Sequence, residues 1–340
     1  MLPNPIEILI TLPFDEALIN RLCGISPRLH FTIYKARKPE DVPADLWAKT
    51  EVLYTNTILP APEQAPQLRW IQLHWAGVDH AIQHPLLQRP GLVATNLSGA
   101  SASQMGEFVI LMLLALGHHL PMLTGFQQRA EWPTSRWEQL RPLELRGSTV
   151  GIVGYGSIGR QVARLLHNFG ARVLATKRDV LHPDDSGYIA EGLGDASGDF
   201  VHRLYPPQAL RSMLKECHFL AVTVPLTEHT RGMLGVEELA ALPEGACLVD
   251  VSRGGVIDHT ALLSALTSGR LRSAALDVFP EEPLPASSPL WKLPNVIITP
   301  HISGFSSAYD ERAVELFAEN LNRYMSNLPL YNRIFPEIGY

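Results

Sequence analysis

The segment Gly154-Tyr155-Gly156-Ser157-Ile158-Gly159 constrains the fold of this chain more than any other. It follows the apolar run Thr149–Val153 and precedes a stretch of helical periodicity that Gly170 ends. A strand, a glycine-rich loop and a helix in this order are the context that the dinucleotide-binding fingerprint requires. The glycines permit a tight turn, close approach of a pyrophosphate to the backbone, and close packing of the helix on the sheet. The predicted contacts to the dinucleotide are Gly154, Gly156, Ser157, Ile158 and Gly159. A glycine turn that holds no ligand is the alternative reading of the same residues.

Short apolar runs alternate with amphipathic stretches along the whole chain, which indicates an α/β protein with mainly parallel sheets. A length of 340 residues corresponds to roughly two domains. Asp258 is a candidate N-cap for a helix, and Ser307-x-x-Asp310 resembles a capping box before the last helix. The runs predicted as strands are Ile6–Leu12, Val52–Tyr54, Trp70–Leu73, Thr149–Val153, Arg172–Ala175, Phe219–Val224, Cys247–Val251, Ala274–Val278 and Val296–Thr299.

Composition excludes several classes of protein. The 28 basic and 34 acidic residues give a net charge of −6 without basic blocks, so general nucleic-acid binding is not expected. Three cysteines, Cys23, Cys217 and Cys247, are too few for a disulfide framework or a four-cysteine zinc site. His182 and His202 lack a second ligand at metal spacing, so no metal is expected.

Two segments could be mistaken for membrane or export signals. Phe108–Gly117 is apolar but shorter than the ~20 residues of a membrane span, so we predict a buried helix. The first residues have neither a basic segment nor a cleavage site typical of a signal peptide. We therefore expect a cytoplasmic protein with no membrane partner.

The residues after the second strand of the dinucleotide domain indicate which nicotinamide cofactor binds. An NAD site has an acid at this strand end to bind the ribose hydroxyls. Here Lys177 takes that position and Arg178 follows, and two cations suit a 2′-phosphate. We predict that NADP(H) is preferred over NAD(H). The alternative is a solvated basic turn, with Asp179 turning inward to bind NAD.

Residues 179–206 form an irregular insertion rich in glycine and aspartate. Its acids lack the spacing and the closing glutamate of a calcium loop. We expect a solvated loop or a small hairpin, with no role assigned to it.

Four motifs in the second half of the chain resemble those of the D-isomer-specific 2-hydroxyacid dehydrogenase family. They lie in the same order as in that family, and the N-terminal part fits through Leu73–Asp79 (LHWAGVD), which resembles the family's substrate loop. Asp250 is a departure, because asparagine is usual at that position. The motifs are Ala221–Arg231 (AVTVPLTEHTR), Leu248–Asp258 (LVDVSRGGVID), Leu276–Pro285 (LDVFPEEPLP) and Ile298–Gly304 (ITPHISG).

The resemblance implies two Rossmann-like, doubly wound parallel-sheet domains, with the cofactor domain inserted into the substrate domain. The substrate domain would comprise residues 1–101 and 299–340, and the NAD(P)-binding domain residues 102–298. Members of the family are usually dimers, so a homodimer is expected by resemblance alone.

The motifs also supply the candidate catalytic residues. Arg253 can hold a substrate carboxylate and polarise its ketone, because its planar fork matches that geometry. His301 would donate the proton during reduction. Glu282 would hydrogen-bond to His301, orient it and favour its charged form. The adjacent Glu281 is expected to be solvated.

By resemblance, further residues contact the cofactor or the substrate. Asp277 would lie on the nicotinamide side, although a cap or turn role is the alternative. Ala76 and Gly77 would offer N–H groups to the substrate carboxylate together with Arg253, and a plain turn is the alternative. Trp75 and Trp132 could form walls of the substrate pocket, although aromatic residues are more often part of a core. The remaining predicted cofactor contacts are Val224, Pro225, Thr230, Val251, Ser252 and Gly304.

The function that follows is an NAD(P)-dependent oxidoreductase that transfers hydride between a nicotinamide and a small 2-keto or D-2-hydroxy acid. Glyoxylate and hydroxypyruvate are the first candidate substrates. A phosphoglycerate dehydrogenase is one alternative. A corepressor that senses NAD(H) without turning over a substrate is another, because a shared fold does not separate enzymes from binding proteins.

Overall fold

The structure, a computed structural model, describes residues 5–338. Within that range the chain divides into two compact units, residues 5–101 with 306–338 and residues 102–305. The first crossing coincides with the expected one. The second lies seven residues later than the predicted boundary before residue 299, because the Asp277 carboxylate accepts the N–H groups of Ile302 and Ser303 and keeps this segment in the second unit.

The first unit is a five-stranded parallel sheet in the order β2-β1-β3-β4-β5, a doubly wound arrangement. Its strands are β1 (Ile6–Ile10), β2 (Leu29–Ile33), β3 (Val52–Thr55), β4 (Trp70–Leu73) and β5 (Val93–Thr95). Its helices are α1 (Glu16–Cys23), α2 (Ala44–Lys49) and, from the C-terminal segment, α10 (Tyr309–Met325). The rings of Tyr54 and Trp70 pack on Phe317 of α10, so the last helix completes this unit's core.

The second unit is a seven-stranded parallel sheet in the order β12-β11-β10-β9-β6-β7-β8. Its strands are β6 (Thr149–Val153), β7 (Arg172–Thr176), β8 (Arg203–Tyr205), β9 (Phe219–Val222), β10 (Ala246–Asp250), β11 (Leu271–Leu276) and β12 (Val296–Ile298). Its helices are α3 (Ala102–Gly117), α4 (Leu120–Gln128), α5 (Arg136–Gln139), α6 (Ser157–Asn168), α7 (Leu210–Leu214), α8 (Val236–Ala241) and α9 (His259–Thr267). The strand order reverses between β6 and β9. In open α/β sheets, ligands bind at the carboxyl ends of the strands at such a switch point.

Residues 5–338 also contain five short 3₁₀ helices, and each begins with a proline, whose fixed φ angle and missing N–H suit the first position of a helix. They are Pro39–Asp41, Pro85–Gln88, Pro207–Ala209, Pro289–Lys292 and Pro336–Ile338.

All nine predicted strands are present, with ends shifted by up to three residues. Three further strands, β2, β5 and β8, were not predicted, and each of them lies at the edge of its sheet. An edge strand buries less of its surface, and in β2 only Leu29 is buried, so no continuous apolar run marks it. Because β8 falls within residues 179–206, the prediction that this segment is irregular throughout was wrong.

The two predicted helix caps had different outcomes. The Asp258 carboxylate accepts the N–H groups of Thr260 and Ala261, which confirms that it caps α9. The capping box at Ser307 and Asp310 was wrong, because α10 begins one residue later than that spacing requires and Ala308 is its N-cap residue.

Among residues 5–338, no single helix is long and apolar enough to cross a bilayer. Helices α3 and α4, which are bent by 63° relative to each other, reach that length and composition only when they are counted together. The same part of the chain contains no group of three or more His, Cys, Asp or Glu side chains that could hold a metal ion. Its three cysteines are unbridged.

Candidate active site

The glycine loop joins β6 to α6 and is shaped by close contacts. A Cβ atom on Gly159 would lie 2.2 Å from the Gly154 carbonyl oxygen, so only glycine lets the helix approach the loop this closely. Gly156, the N-cap of α6, is different, because a Cβ there would meet nothing within 4 Å. The space over the N-terminus of α6 is therefore open, and the first N–H groups of a helix lack acceptors within the helix. These features fit the pyrophosphate of a dinucleotide.

The loop after β9 is fixed to the glycine loop across the switch point. Thr223 donates its hydroxyl to the Gly154 carbonyl at 2.8 Å and its N–H to Val153 at 2.9 Å. Val224 packs against Gly154, and the Thr230 hydroxyl closes the following turn on the Pro225 carbonyl at 2.6 Å. The structure thus brings the predicted residues Val224, Pro225 and Thr230 to the edge of the glycine loop.

The strand β7 ends beside this loop, with Lys177 and Arg178 directly after it. The Asp179 carboxylate accepts the N–H groups of Leu181 and His182 and lies 2.7 Å from the imidazole Nδ1 of His182. Its hydrogen bond to His182 lowers the pKa of Asp179. Asp179 therefore closes its own exposed turn.

The insertion is neither the solvated loop nor the small hairpin that we expected, because much of it is hydrogen-bonded to the glycine loop and to α6, and β8 pairs parallel to β7. Arg160 of α6 is only 1% exposed and donates to the carbonyl oxygens of Pro183 and Asp195 at 2.6 and 2.5 Å. No role was predicted for Arg160 from the sequence. Its position directly after Gly159, at the start of a helix that packs on a sheet, is the one sequence feature that could have indicated that it is buried.

The turn that carries Arg253 follows β10 at the same edge of the sheet. Val251 and Ser252 are buried, and the Arg253 guanidinium donates to the Ser252 carbonyl at 2.8 Å. A Cβ on Gly254 would lie 1.9 Å from the carbonyl oxygen of Phe279, so this turn is in tight contact with the loop after β11. The next hydrogen bond in that loop runs from the Phe279 N–H to Glu282 Oε1 at 2.8 Å. The close contact between Gly254 and Phe279 therefore fixes the position of the Arg253 turn relative to Glu282.

Glu282 binds His301, which lies in the loop after β12. Glu282 Oε2 is 2.7 Å from His301 Nδ1, and both side chains are partly exposed. With Nδ1 on the carboxylate, Nε2 is the ring atom that is left to exchange a proton with a ligand. His301 has a φ angle of 51°, in the left-handed region that costs a non-glycine residue about 1–2 kcal/mol.

Asp277 stabilises this strained loop. Its carboxylate is 1% exposed and accepts the Thr299 hydroxyl at 2.6 Å and the N–H groups of Ile302 and Ser303, both at 3.0 Å. Three donors from both sides of His301 fix the backbone around it. Gly304 follows, and its carbonyl accepts a hydrogen bond from the Gln104 side chain.

Asp250, at the end of β10, is a second buried carboxyl group at this edge. Its Oδ1 accepts the N–H and the hydroxyl of Ser252 at 3.0 and 2.5 Å. Within residues 5–338, Oδ2 has no hydrogen-bond partner although it is buried. Burial, together with the smaller effect of the Asp277 charge, raises the pKa of Asp250 to about 7, although the hydrogen bonds from Ser252 act to lower it.

The predicted substrate residues lie in the first unit, after β4. Asn96 donates its amide to the Ala76 carbonyl at 3.0 Å, and Leu97 donates its N–H to Trp75 at 3.3 Å. The buried His74 precedes them, and its carbonyl accepts the Tyr309 hydroxyl at 2.7 Å. Hydrogen bonds thus fix the backbone of the turn 75–77 and of His74 before it. Trp132 belongs to the second unit, where its side chain is 82% exposed.

Parallel strands bring most of the predicted residues to one edge. In the second unit the carboxyl ends of β6, β7, β9, β10, β11 and β12 carry the glycine loop, the two cations, Val224, Arg253, Glu282 and His301. Such an edge can bind a dinucleotide, hold an anionic substrate on an arginine and exchange a proton through a histidine.

Comparison with known proteins matches this arrangement to one family. Residues 110–303 match the model described as D-isomer specific 2-hydroxyacid dehydrogenase, NAD binding domain. A glyoxylate reductase of Korarchaeum cryptofilum is 34% identical over 261 residues, which are 76% of this chain and 74% of that protein. A D-3-phosphoglycerate dehydrogenase of Methanocaldococcus jannaschii is 33% identical over 263 residues, which are 77% of this chain but only 47% of that protein.

A solved structure extends the likeness to both units. The NADPH-dependent glyoxylate/hydroxypyruvate reductase of Sinorhizobium meliloti, in complex with NADP and sulfate, superposes with a TM-score of 0.76. The two chains are 26% identical, and the match covers 98% of this chain and 100% of the other.

The buried carboxyl group of Asp250 predicts a dependence of stability on pH. Because burial raises its pKa from 3.8 to about 7, the folded protein keeps a proton that the unfolded chain has lost between these values. Stability is therefore lost as the pH rises through this window. Asp250→Asn cannot ionise, so the free energy of unfolding of the variant, relative to the unmodified protein, should rise by about 1–3 kcal/mol from pH 5 to pH 8.

Urea denaturation at both pH values measures this difference. Asp258→Asn, at the exposed cap of α9, is the matched control and should give a difference that stays nearly constant. An Asp250→Asn difference that is equally constant would show that this carboxyl group does not titrate in that window.

Proposed function

Because this chain belongs to the D-isomer specific 2-hydroxyacid dehydrogenase family, we propose that it reduces small 2-keto acids, with glyoxylate and hydroxypyruvate as the first candidates. The chain is an NAD(P)-dependent oxidoreductase that acts on CH–OH groups. We choose these residues because His301 and Glu282 are in contact at 2.7 Å and because the loop that carries Glu282 packs against the Arg253 turn.

Arg253 and His301 divide the chemistry between them. A 2-keto acid presents a carboxylate beside a ketone, and a guanidinium matches the planar carboxylate and polarises the ketone oxygen. His301 donates a proton from Nε2 to the oxygen as it becomes an alkoxide, and Glu282 holds the ring through Nδ1 and stabilises its charged form. The bound nicotinamide supplies the hydride. In the oxidation direction, His301 takes the proton back.

Other residues complete the proposed sites. The glycine loop would hold the pyrophosphate, and Val251, Ser252, Asp277 and Gly304 would line the nicotinamide end. Trp75, Ala76 and Gly77 remain proposed substrate contacts. The first unit would be the substrate domain and the second the cofactor domain.

The cofactor that we propose is NADP(H) in preference to NAD(H). Lys177 and Arg178 follow β7 where an NAD site has an acid, and the Asp179 carboxylate is bonded to residues 181 and 182 instead. The S. meliloti reductase, which superposes on this chain, is NADPH-dependent. A cytoplasmic location, which the sequence analysis expected, is part of the same proposal.

We also propose that the chain forms a homodimer through α4 and α5. Trp132 and Trp137 are 82% and 79% exposed, and the Arg136 guanidinium lies over both rings. Leu120 and Leu123 of α4 are 46% and 41% exposed. Exposed apolar side chains grouped in this way are typical of association surfaces.

The first prediction separates the two catalytic roles. His301→Ala should lower kcat for glyoxylate reduction by about 10²–10⁴-fold, because a positioned proton donor is lost. Arg253→Ala should mainly raise KM for the keto acid, because the carboxylate anchor is lost. Glu281→Gln is the control, since this exposed neighbour of Glu282 should leave both constants unchanged. Near-normal turnover by His301→Ala would contradict the assignment.

The second prediction concerns the cofactor. The ratio of kcat/KM for NADPH to that for NADH should be about 10 to 100, which corresponds to about 1.4–2.8 kcal/mol from contacts at a partly solvated phosphate site. Arg178→Gln should lower this ratio about tenfold. NADH, which lacks the 2′-phosphate, is the internal control. A ratio of one or less in the unmodified protein would disprove the preference.

The third prediction is the dimer. Sedimentation equilibrium should give twice the 37.6 kDa chain mass. Trp137→Glu, which places a charge on the proposed surface, should shift the protein towards the monomer. Glu144→Gln, a change outside α4 and α5, serves as the control. A monomer at micromolar concentration for the unmodified protein would argue against the interface.

A further inference from the structure

Part of the insertion is held between two cationic side chains. Lys177 donates its ammonium group to the carbonyl oxygens of His182 and of Asp184, the latter at 3.0 Å. Arg160 donates to the Pro183 carbonyl between them at 2.6 Å, and its Nε lies 3.3 Å from the Asp185 carboxylate. Lys177 and Arg160 therefore bind residues 182–185 from two sides. We call Lys177, Arg160 and this segment the clamp.

Arg160 is costly to bury, which makes its position informative. Removing a guanidinium from water is unfavourable unless hydrogen bonds and an opposite charge replace the lost hydration. Here the insertion supplies two hydrogen-bond acceptors, the carbonyls of Pro183 and Asp195, and an opposite charge, the carboxylate of Asp185. The Nε of Arg160 lies 3.3 Å from that carboxylate and has no hydrogen-bond partner among residues 5–338. The Tyr155 ring lies 4.6 Å from the guanidinium carbon and covers one face. The main partner of Arg160 is thus the insertion.

Tyr155 connects the clamp to the glycine loop. It stands between Gly154 and Gly156, and its hydroxyl donates to the buried carboxylate of Asp195 in the insertion. The same carboxylate accepts the N–H groups of Asp199 and Phe200 at 2.8 and 2.9 Å, which fixes the far side of the insertion. Gly194 adds a hydrogen bond from its N–H to Gln161 of α6 at 2.7 Å. The insertion is anchored on the two elements that would bind the dinucleotide.

From this arrangement we infer that the insertion selects for the 2′-phosphate of NADP(H), with Arg160 and Tyr155 as the positioning residues that hold it. This inference rests on the proposed use of a nicotinamide cofactor. Two of the three N–H groups of the Lys177 ammonium are committed to carbonyl oxygens, so the direction of the third is fixed. A cation that is already oriented loses less conformational freedom when it binds an anion.

Charge gives a second reason for the same effect. Asp179, Asp184 and Asp185 all lie near enough to Lys177 to act on its charge, and a carboxylate near the ribose disfavours a 2′-phosphate. Arg160 compensates the one nearest to it, Asp185. Without Arg160, the Asp185 carboxylate and the released residues 182–185 would disfavour binding of the 2′-phosphate of NADP(H). They would have little effect on NAD(H), which has a ribose hydroxyl at that position.

Direct binding of NADPH and NADH tests this inference without turnover. The dissociation constants are measured by titration of nucleotide fluorescence for the unmodified protein, Arg160→Gln and Tyr155→Phe. Arg160→Gln should weaken NADPH about tenfold, which equals about 1.4 kcal/mol, and NADH by less than about twofold. Tyr155→Phe keeps the ring and removes only the hydroxyl, so it should shift the ratio in the same direction by a smaller factor. Arg172→Gln removes a positive charge at the opposite end of β7, where Arg172 pairs with Glu216, and should leave the ratio unchanged.

The outcomes distinguish this inference from the proposed function. If the unmodified protein binds neither nucleotide, or binds NADH as tightly as NADPH, the proposed cofactor use fails. If the unmodified protein prefers NADPH and Tyr155→Phe keeps that ratio, the clamp does not select and the inference is overturned. Equal weakening of both nucleotides in the two variants would also overturn it, because the insertion would then only support the glycine loop. Should Arg160→Gln not fold, Tyr155→Phe alone decides.

Discussion

The Asp277 carboxylate makes the contacts on which the geometry of the candidate active site depends. It lies directly after β11 and accepts three hydrogen bonds from the loop after β12, so it joins two neighbouring strand ends where the backbone leaves the sheet. That loop contains His301 in a left-handed conformation that an isolated chain would seldom adopt. Backbone strain of this kind persists only where the surroundings over-determine the conformation. Glu282 lies in the loop that follows Asp277 and binds the imidazole of His301. The backbone that carries this imidazole is already held in place by Asp277.

Buried polar groups of the second unit concentrate at this same edge. Asp250, Asp277, Arg160 and Asp195 are each at most 3% exposed, whereas the strands between the helices are lined by aliphatic side chains. Burying a charge is unfavourable unless partners replace water. Asp277 and Asp195 have such partners. Among residues 5–338, one oxygen of Asp250 and the Nε of Arg160 have no hydrogen-bond partner, although the Arg160 Nε lies 3.3 Å from the Asp185 carboxylate. Fixing these polar groups at the edge therefore lowers the stability of the fold, and this cost is compensated least at Asp250.

The sequence predicted those features that depend on local pattern. Continuous apolar runs identified nine strands, and the motifs placed Arg253, Glu282 and His301 at strand ends, where the structure has them. Edge strands such as β8 escaped because three residues with one side exposed carry no periodic signal. The clamp escaped for another reason. Arg160 and Asp195 are 35 residues apart, and no spacing rule relates a helix arginine to the carbonyl oxygens of a distant loop.

Recognition of the dinucleotide is thereby divided between two kinds of group. In the proposed site, backbone N–H groups at the start of α6 would face a phosphate that every dinucleotide carries, so this part of the site would not discriminate between cofactors. Side chains at the end of β7 would face the one position where NADP and NAD differ. Tyr155 belongs to the glycine loop and also binds the insertion, so the common and the discriminating parts share a hydrogen-bond network. A change of cofactor preference would then require more than exchanging Lys177, because its ammonium group is also a partner of the insertion. An acid at that position would face two carbonyl oxygens and release the segment that Arg160 holds.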